Sequence, residues 1–190
     1  MWQSFKIAFI FFVVLTVLTG VVYPLAVTGL ARVLFSRQAN GSLITIGKGK
    51  EASALIGQPF SSLGYFWGRP SATTTVPYNG AASAGSNLGP SSPALREAVL
   101  KRIAALKATD PENRQTIPVD LVTTSASGLD PHISPAAALY QAGRVARARG
   151  LDEGKVVALV KAHREPRQFG LLGEPRVSVL QLNAELDALR

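Results

Sequence analysis

Hydrophobic and polar positions divide this chain unevenly. From Ile7 to Ala31 there are twenty-five residues without a charge, fifteen of them Leu, Ile, Phe or Val. A helix rising about 1.5 Å per residue would carry this stretch about 37 Å, further than the ~30 Å hydrocarbon core of a bilayer. Each of those fifteen side chains favours insertion by about 0.3–0.6 kcal/mol near the centre of a span. The pattern predicts one membrane-spanning helix. A cleaved secretory leader starts similarly, with Lys6 ahead of an apolar run, but its apolar region is only about 7–15 residues long and ends in a small-x-small site. Here the apolar run continues through Val21, Val22, Leu25, Val27 and Leu30 with no Ala-x-Ala, so we read a retained span. Gly20 and Pro24 are tolerated in lipid where a threonine hydroxyl or a neighbouring helix takes up the freed carbonyl.

After the span the periodicity changes. Leu43-Ile44-Thr45-Ile46 reads as a short extended run entering the turn-prone Gly47-Lys48-Gly49-Lys50. Residues 57–93 are rich in Gly, Pro, Ser and Thr yet hold Tyr65-Phe66-Trp67-Gly68-Arg69-Pro70. A disordered linker lacks such aromatic content, since each ring buries about 150–250 Å² and finds a core, so the stretch is expected to be ordered loop. Ser92-Pro93 is an N-cap followed by proline in the first turn. Leu95, Val99, Ile103 and Leu106 then keep helical spacing as far as Thr109. Ile117, Val119, Leu121 and Thr123 alternate, which predicts a strand over 117–124 with Pro118 placing its start at an edge. Ser134-Pro135 opens a helix to Arg149, closed by Gly150. A third helix is expected from Asp152 to about Arg164, a short strand over Val177–Leu180, and a terminal helical turn or two over Leu182–Leu189. Helices alternating with strands predict one compact mixed α/β (or α+β) domain over residues 35–190, behind an N-terminal segment of residues 1–34 that holds the span.

Composition narrows the chemistry. Arg32 to Arg190 spans 159 residues with a net charge of +7, enough for one domain. The cations are scattered except for Arg144, Arg147 and Arg149, which we read as a solvated helix face rather than a nucleic-acid stripe. No cysteine is present, which excludes disulfides, thiolate nucleophiles and Cys-ligated metal. A phosphate-cradling loop needs Gly, four residues, then Gly-Lys-Ser/Thr; between Gly41 and Gly47 there are five residues, and Lys48 is followed by Gly49. His132 and His163 have no second histidine at helical spacing, so no metal pair is expected. Asp130-Pro131-His132 places carboxylate and imidazole together, which a proton-handling site and a loop that positions the following helix both explain; the loop is the reading we prefer. Asp120 reads as a solvated or backbone-bonded side chain. No nucleophile, base and orienter stand at recognisable spacing, so no catalytic residue is assigned.

Taken in order, Tyr23-Pro24-Leu25, Gly41-Ser42-Leu43-Ile44, Leu55-Ile56-Gly57-Gln58, Tyr65-Phe66-Trp67-Gly68-Arg69-Pro70-Ser71-Ala72 and Ser86-Asn87-Leu88-Gly89-Pro90-Ser91 form one signature. It continues through Asp120-Leu121-Val122-Thr123, Ser127-Gly128-Leu129-Asp130-Pro131-His132-Ile133-Ser134-Pro135, Arg144-Val145-Ala146-Arg147 and Leu172-Gly173-Glu174-Pro175-Arg176-Val177. Nearly end to end, the chain resembles the C subunit (KdpC) family of the bacterial Kdp-type potassium-transporting ATPase. Lys48-Gly49-Lys50 and His163-Arg164-Glu165-Pro166 are more polar than that pattern.

The resemblance implies a non-catalytic accessory subunit of a potassium uptake pump. It implies an N-terminus in the cytoplasm, a single span in the bacterial inner membrane and a periplasmic domain. Implied partners are a potassium-binding channel-like subunit, a P-type ATP-hydrolysing subunit and a very small membrane subunit. The implied action is that of a catalytic chaperone that raises the affinity of the hydrolysing subunit for ATP, exerted allosterically because the domain lies across the membrane from the nucleotide. A count of flanking cations points the other way, with Arg32, Arg37, Lys48 and Lys50 beyond the span against Lys6 before it. Long domains cross membranes largely regardless of charge, so the count weighs little.

Tyr65, Phe66, Trp67 and Arg69 are residue types enriched at binding hot spots and are the candidate partner contacts, with the domain's own core as the alternative. Two rival readings remain: an anchored periplasmic hydrolase using Asp130, His132 and a nearby serine, and an anchored nucleic-acid binder that the scattered charge supports poorly.

Overall fold

The computed structural model describes residues 1–46 and 49–189. Gly47 and Lys48, half of the turn expected at 47–50, lie outside the described residues. The chain divides into two compact units, Met1–Leu43 and the residues from Ile44 onward.

The first unit is a single helical run. Helix α1 (Trp2–Val17) passes through a π-helical turn, Leu18–Val22, into α2 (Tyr23–Leu34), and a short α3 (Ser36–Ala39) follows. The proline explains the widened turn: Pro24 has no N–H, and its ring would crowd the carbonyl of Gly20 four residues back. Just before it the helix relaxes to a five-residue hydrogen bond, from the Tyr23 N–H to the Leu18 carbonyl. Upstream, the Thr19 hydroxyl donates to the Leu15 carbonyl at 2.7 Å. Trp2–Leu34 is long and apolar enough to cross a membrane, and none of its residues is buried. An apolar helix of this length and composition fits a membrane span.

In the second unit, β1 (Leu43–Ile46) pairs with β2 (Lys50–Ser53). A long ordered loop leads to α4 (Pro93–Thr109); β3 (His132–Ile133), α5 (Pro135–Arg149), α6 (Glu153–Ala162), β4 (Arg164–Glu165), β5 (Arg176–Ser178) and α7 (Val179–Ala188) follow. β5 is the centre of an antiparallel sheet, with His132 opposite Ser178 on one side and Arg164 opposite Val177 on the other. Helices α5 and α7 pack on β5, α6 packs on both of them, and the core gathers Leu106, Leu121, Val145, Val160, Val177 and Leu182. Each such side chain contributes about 1.5–3 kcal/mol by leaving water. The α/β class and the membrane-length helix are as expected.

Helix ends follow the expected chemistry. The Ser134 hydroxyl accepts from the Ala137 N–H at 3.0 Å, and Asp152 accepts from the Lys155 N–H at 3.1 Å. Gly150 closes α5 at φ 66°, a left-handed position glycine enters without penalty. Ser92 occupies the N-cap of α4 without a side-chain hydrogen bond.

Several expectations need correction. The strand over 117–124 is a 3₁₀ turn at Val119–Leu121. Leu121 and Val122 donate to carbonyls three residues back, and the Thr123 hydroxyl donates to Val119 O at 2.8 Å, so local bonds take the place of a ladder. Val119 faces solvent, and only Leu121 of the alternating set is fully buried. The third helix stops at Ala162, since Arg164 and Glu165 pair with β5. The last strand ends at Ser178, which caps α7, so Val179 and Leu180 are helical.

Candidate functional site

The aromatic segment starts from a backbone that has no strand neighbour yet is buried. Such N–H and C=O groups need partners, and two side-chain amides supply them. Gln141 on α5 accepts from the Trp67 N–H at 2.8 Å and donates to the Trp67 carbonyl at 3.1 Å. One residue away, Asn183 on α7 accepts from the Phe66 N–H at 2.9 Å and donates to its carbonyl at 3.0 Å. Each carboxamide satisfies both polar groups of one residue, as a neighbouring strand would.

Three arginines gather the remaining carbonyls. Arg144 donates to Leu63 O and, at 3.0 Å, to Tyr65 O. Arg149 reaches Gly64 O at 2.6 Å, and Arg102 reaches Gly68 O at 3.2 Å. Two of them also flank the indole, Arg144 at 4.7 Å and Arg102 at 5.2 Å from the Trp67 ring centre. Arg149 lies 4.6 Å from the Tyr65 ring, and its guanidinium meets Asp187 at 2.7 Å. Burial lowers the pKa of Arg144 to about 10, with the Arg102 charge adding to that and Asp110 opposing it. The Arg144–Arg147–Arg149 trio is therefore not the solvated face expected: Arg147 is the exposed member, paired with Asp110, while the other two hold the loop. Aromatic rings and carbonyls, rather than water, receive their charge.

Of the four candidate contacts, Phe66 is 0 % and Trp67 8 % exposed, so both belong to the domain's own core. Tyr65 and Arg69 keep partial exposure. The Tyr65 hydroxyl donates to Asp187 at 3.1 Å, and its ring borders a groove of about 280 Å³ with Phe60, Leu180 and Ala184.

Arg69 leads into a second, polar cleft of about 560 Å³ that also holds Asp120, Asp130, His132, Glu174 and Arg176. Arg69 bonds Asp130 at 3.3 Å and the Thr124 carbonyl at 2.9 Å. The backbone N–H of His132 donates to Asp130 at 3.0 Å, fixing the turn before β3. Burial disfavours the Asp130 carboxylate, but hydrogen bonds from His132 and the Arg69 charge outweigh it and hold its pKa below the usual range. Behind them the Tyr78 hydroxyl donates to the Arg69 carbonyl at 2.6 Å, and burial pushes its pKa to about 12.

The arrangement of carboxylate, imidazole and hydroxyl differs from that of a hydrolase. The Nδ1 of His132 lies 3.4 Å from Asp130 and its Nε2 3.7 Å from Glu165, so both ring nitrogens face carboxylates. Ser134 bonds Asp120 at 3.2 Å through its hydroxyl, which also caps α5, and its N–H meets Asp120 at 2.7 Å. Asp120 is a backbone-bonded brace and Ser134 a helix cap. No three His, Cys, Asp or Glu side chains stand together to hold a metal ion among the described residues.

Gln141, Asn183 and Arg102 were not singled out from the sequence. The available signal was a polar residue inside an apolar stripe: Gln141 among Ala137, Ala138 and Val145, and Asn183 among Val179, Leu182 and Leu186.

Comparison with known proteins adds an independent finding. Residues 5–188 match the family described as KdpC: K+-transporting ATPase, c chain. The chain is 62% identical over 183 residues to the potassium-transporting ATPase KdpC subunit of Polaromonas naphthalenivorans, covering 96% of this chain and 93% of that one. It is 60% identical over 185 residues to the subunit of the same name from Methylibium petroleiphilum, with 97% of each covered. With its counterpart from Methylococcus capsulatus it shares 58% identity over 190 residues, the full length of both.

Proposed function

The chain belongs to the KdpC family of K+-transporting ATPase c chains, and from that premise we propose that it is a non-catalytic accessory subunit of an ATP-driven potassium uptake pump. Trp2–Leu34 anchors it in the bacterial inner membrane, N-terminus in the cytoplasm, with the domain from Ile44 onward in the periplasm. There it binds the potassium-binding channel-like subunit and the P-type ATP-hydrolysing subunit, beside a very small membrane subunit. The observation that carries this reading is the family match from residue 5 to 188, which takes in both the helix and the domain.

How the chain does this follows from its build. An unburied apolar helix supplies attachment without a soluble core, and the domain supplies a rigid surface. Within the aromatic segment, Phe66 and Trp67 fix the loop's shape while the exposed edges of Tyr65 and Arg69 make the contact. ATP acts together with the hydrolysing subunit, across the membrane from this domain. Its binding to the hydrolysing subunit is strengthened at a distance, by a preference of this subunit for the nucleotide-ready state of its partners, typically worth about 1–3 kcal/mol.

Purification of the tagged chain in mild detergent tests this. Large multispanning chains are expected to co-elute, with potassium-stimulated ATP hydrolysis that needs a higher ATP concentration when this subunit is left out. Elution of the chain alone, or an unchanged ATP dependence without it, would refute the proposal.

A further inference from the structure

The hairpin joining β4 to β5 ends in a cluster the domain does not use. Phe169 is 86% exposed, Leu171 79% and Leu172 61%. In the second unit Phe169 and Leu171 are the two most exposed large apolar side chains described, and all three lie within four consecutive residues. Scattered surface leucines need no explanation, but a cluster of this kind marks an interaction site.

The tip is built rather than loose. Gln168 and Leu172 exchange backbone hydrogen bonds, each at 2.9 Å, and the Leu171 N–H closes the turn onto Gln168 O at 3.1 Å. Both central residues have positive φ, Phe169 at 54° and Gly170 at 74°. An aromatic residue at such an angle is strained. Below the tip, Arg167 grips both oxygens of Glu174 at 2.7 and 2.8 Å, and Arg176 meets Glu165 at 2.8 Å. The neck is thus bridged by two surface ion pairs, each worth little in water, and the backbone bonds of the turn hold the apolar knob above it. A surface already fixed in its bound shape loses little conformational entropy on binding.

We propose that Phe169, Leu171 and Leu172 form a knob that docks into an uncharged apolar socket on another protein subunit of the pump. The charges of the hairpin favour a protein partner over lipid. Lipid-reading segments gather about 4–8 free cations, whereas of the three arginines on this hairpin, Arg164, Arg167 and Arg176, the last two are matched with Glu174 and Glu165. An exposed aromatic ring on a hydrogen-bonded turn is the kind of side chain enriched in the buried centre of protein interfaces. The inference rests on the accessory-subunit reading above and adds to it a second contact, separate from Tyr65 and Arg69.

The test uses the full chain assembled with its partners. Phe169→Ser with Leu171→Ser is expected to leave the melting temperature of the chain unchanged, because neither side chain packs in the core, and to weaken co-purification of the large subunits roughly tenfold or more. Full co-purification of this variant, where the unaltered chain also co-purifies, overturns the knob while sparing the accessory-subunit reading; failure of the unaltered chain to co-purify defeats that reading itself. A photoreactive benzoylphenylalanine at position 169 keeps the test decisive should the double variant misfold. An adduct with another subunit supports the proposal, and adducts only with lipid or with a second copy of this chain overturn it.

Discussion

Gln141 and Trp67, seventy-four positions apart, are joined by two hydrogen bonds, the side-chain amide of one meeting both backbone groups of the other at 2.8 and 3.1 Å. With Asn183 repeating the arrangement on Phe66, a loop without a ladder is held as firmly as a strand. Gln141→Ala would leave a buried donor and acceptor of Trp67 unpaired. The expected cost is about 2–6 kcal/mol, each of the two groups left unsatisfied costing about 1–3 kcal/mol. Thermal denaturation of the detergent-solubilised chain measures it.

Trp67→Ala follows from the same geometry. Since the indole is buried between Arg102 and Arg144, its removal is expected to destabilise the domain by about 3–5 kcal/mol before it affects any partner contact. The sequence alone left Trp67 open as a partner contact or as part of the domain's own core. A collapsed melting temperature together with unaltered crosslinking of the remaining folded fraction would confirm the core role.

Gly128 sits at φ 68°, and a Cβ there would lie 2.6 Å from the Ala84 carbonyl oxygen and 2.8 Å from a Thr73 methyl. Backbone cannot yield as a flexible side chain does. Gly128→Ala is therefore expected to cost about 1–3 kcal/mol or more, read as a lower denaturation midpoint at unchanged slope.

Two groups give the domain opposite pH responses. The pKa of Asp130 is held below its ordinary 3.8, so its stabilisation is complete above that value and fades as pH falls through the lower folded-state pKa. Asp130→Asn should be less stable than the unaltered chain near neutrality, and the gap should narrow in acid. Tyr78 rises from 10.0 to about 12, so its stabilisation is complete below 10.0 and is lost toward 12. Tyr78→Phe should flatten that alkaline decline. Melting temperatures across the two ranges check both signs.

Placed at the middle of the span, Leu18→Arg would cost about 2.5–3.5 kcal/mol on insertion. The unaltered chain is expected to remain in membranes after an alkaline carbonate wash, with the variant partly released. Release of both would mean that the helix is not a span.

Legibility from sequence tracked how local each determinant is. The α5 helix was readable because Ser134, Pro135 and Gly150 signal its ends within the chain itself. Residues 117–124 misled because alternation of Ile117, Val119, Leu121 and Thr123 cannot distinguish a ladder from a turn when the deciding bonds run to Thr123 Oγ1 and, through Asp120, to Ser134. β3 and β4 have two residues each, too short for any period. The aromatic segment was recognised as ordered, but its partners Gln141 and Asn183 lie far along the chain. Arg144 and Arg149 looked like surface cations because nothing nearby in sequence reveals the carbonyls they reach.

Ser178 ends β5 and caps α7, its hydroxyl accepting from the Gln181 N–H at 3.4 Å while the next residue, Val179, donates to Pro131 O at 3.0 Å. No connector separates strand from helix. The helix that begins where β5 ends is also the one that carries Asn183, which grips Phe66, so the register of the strand sets where that side-chain amide meets the aromatic loop.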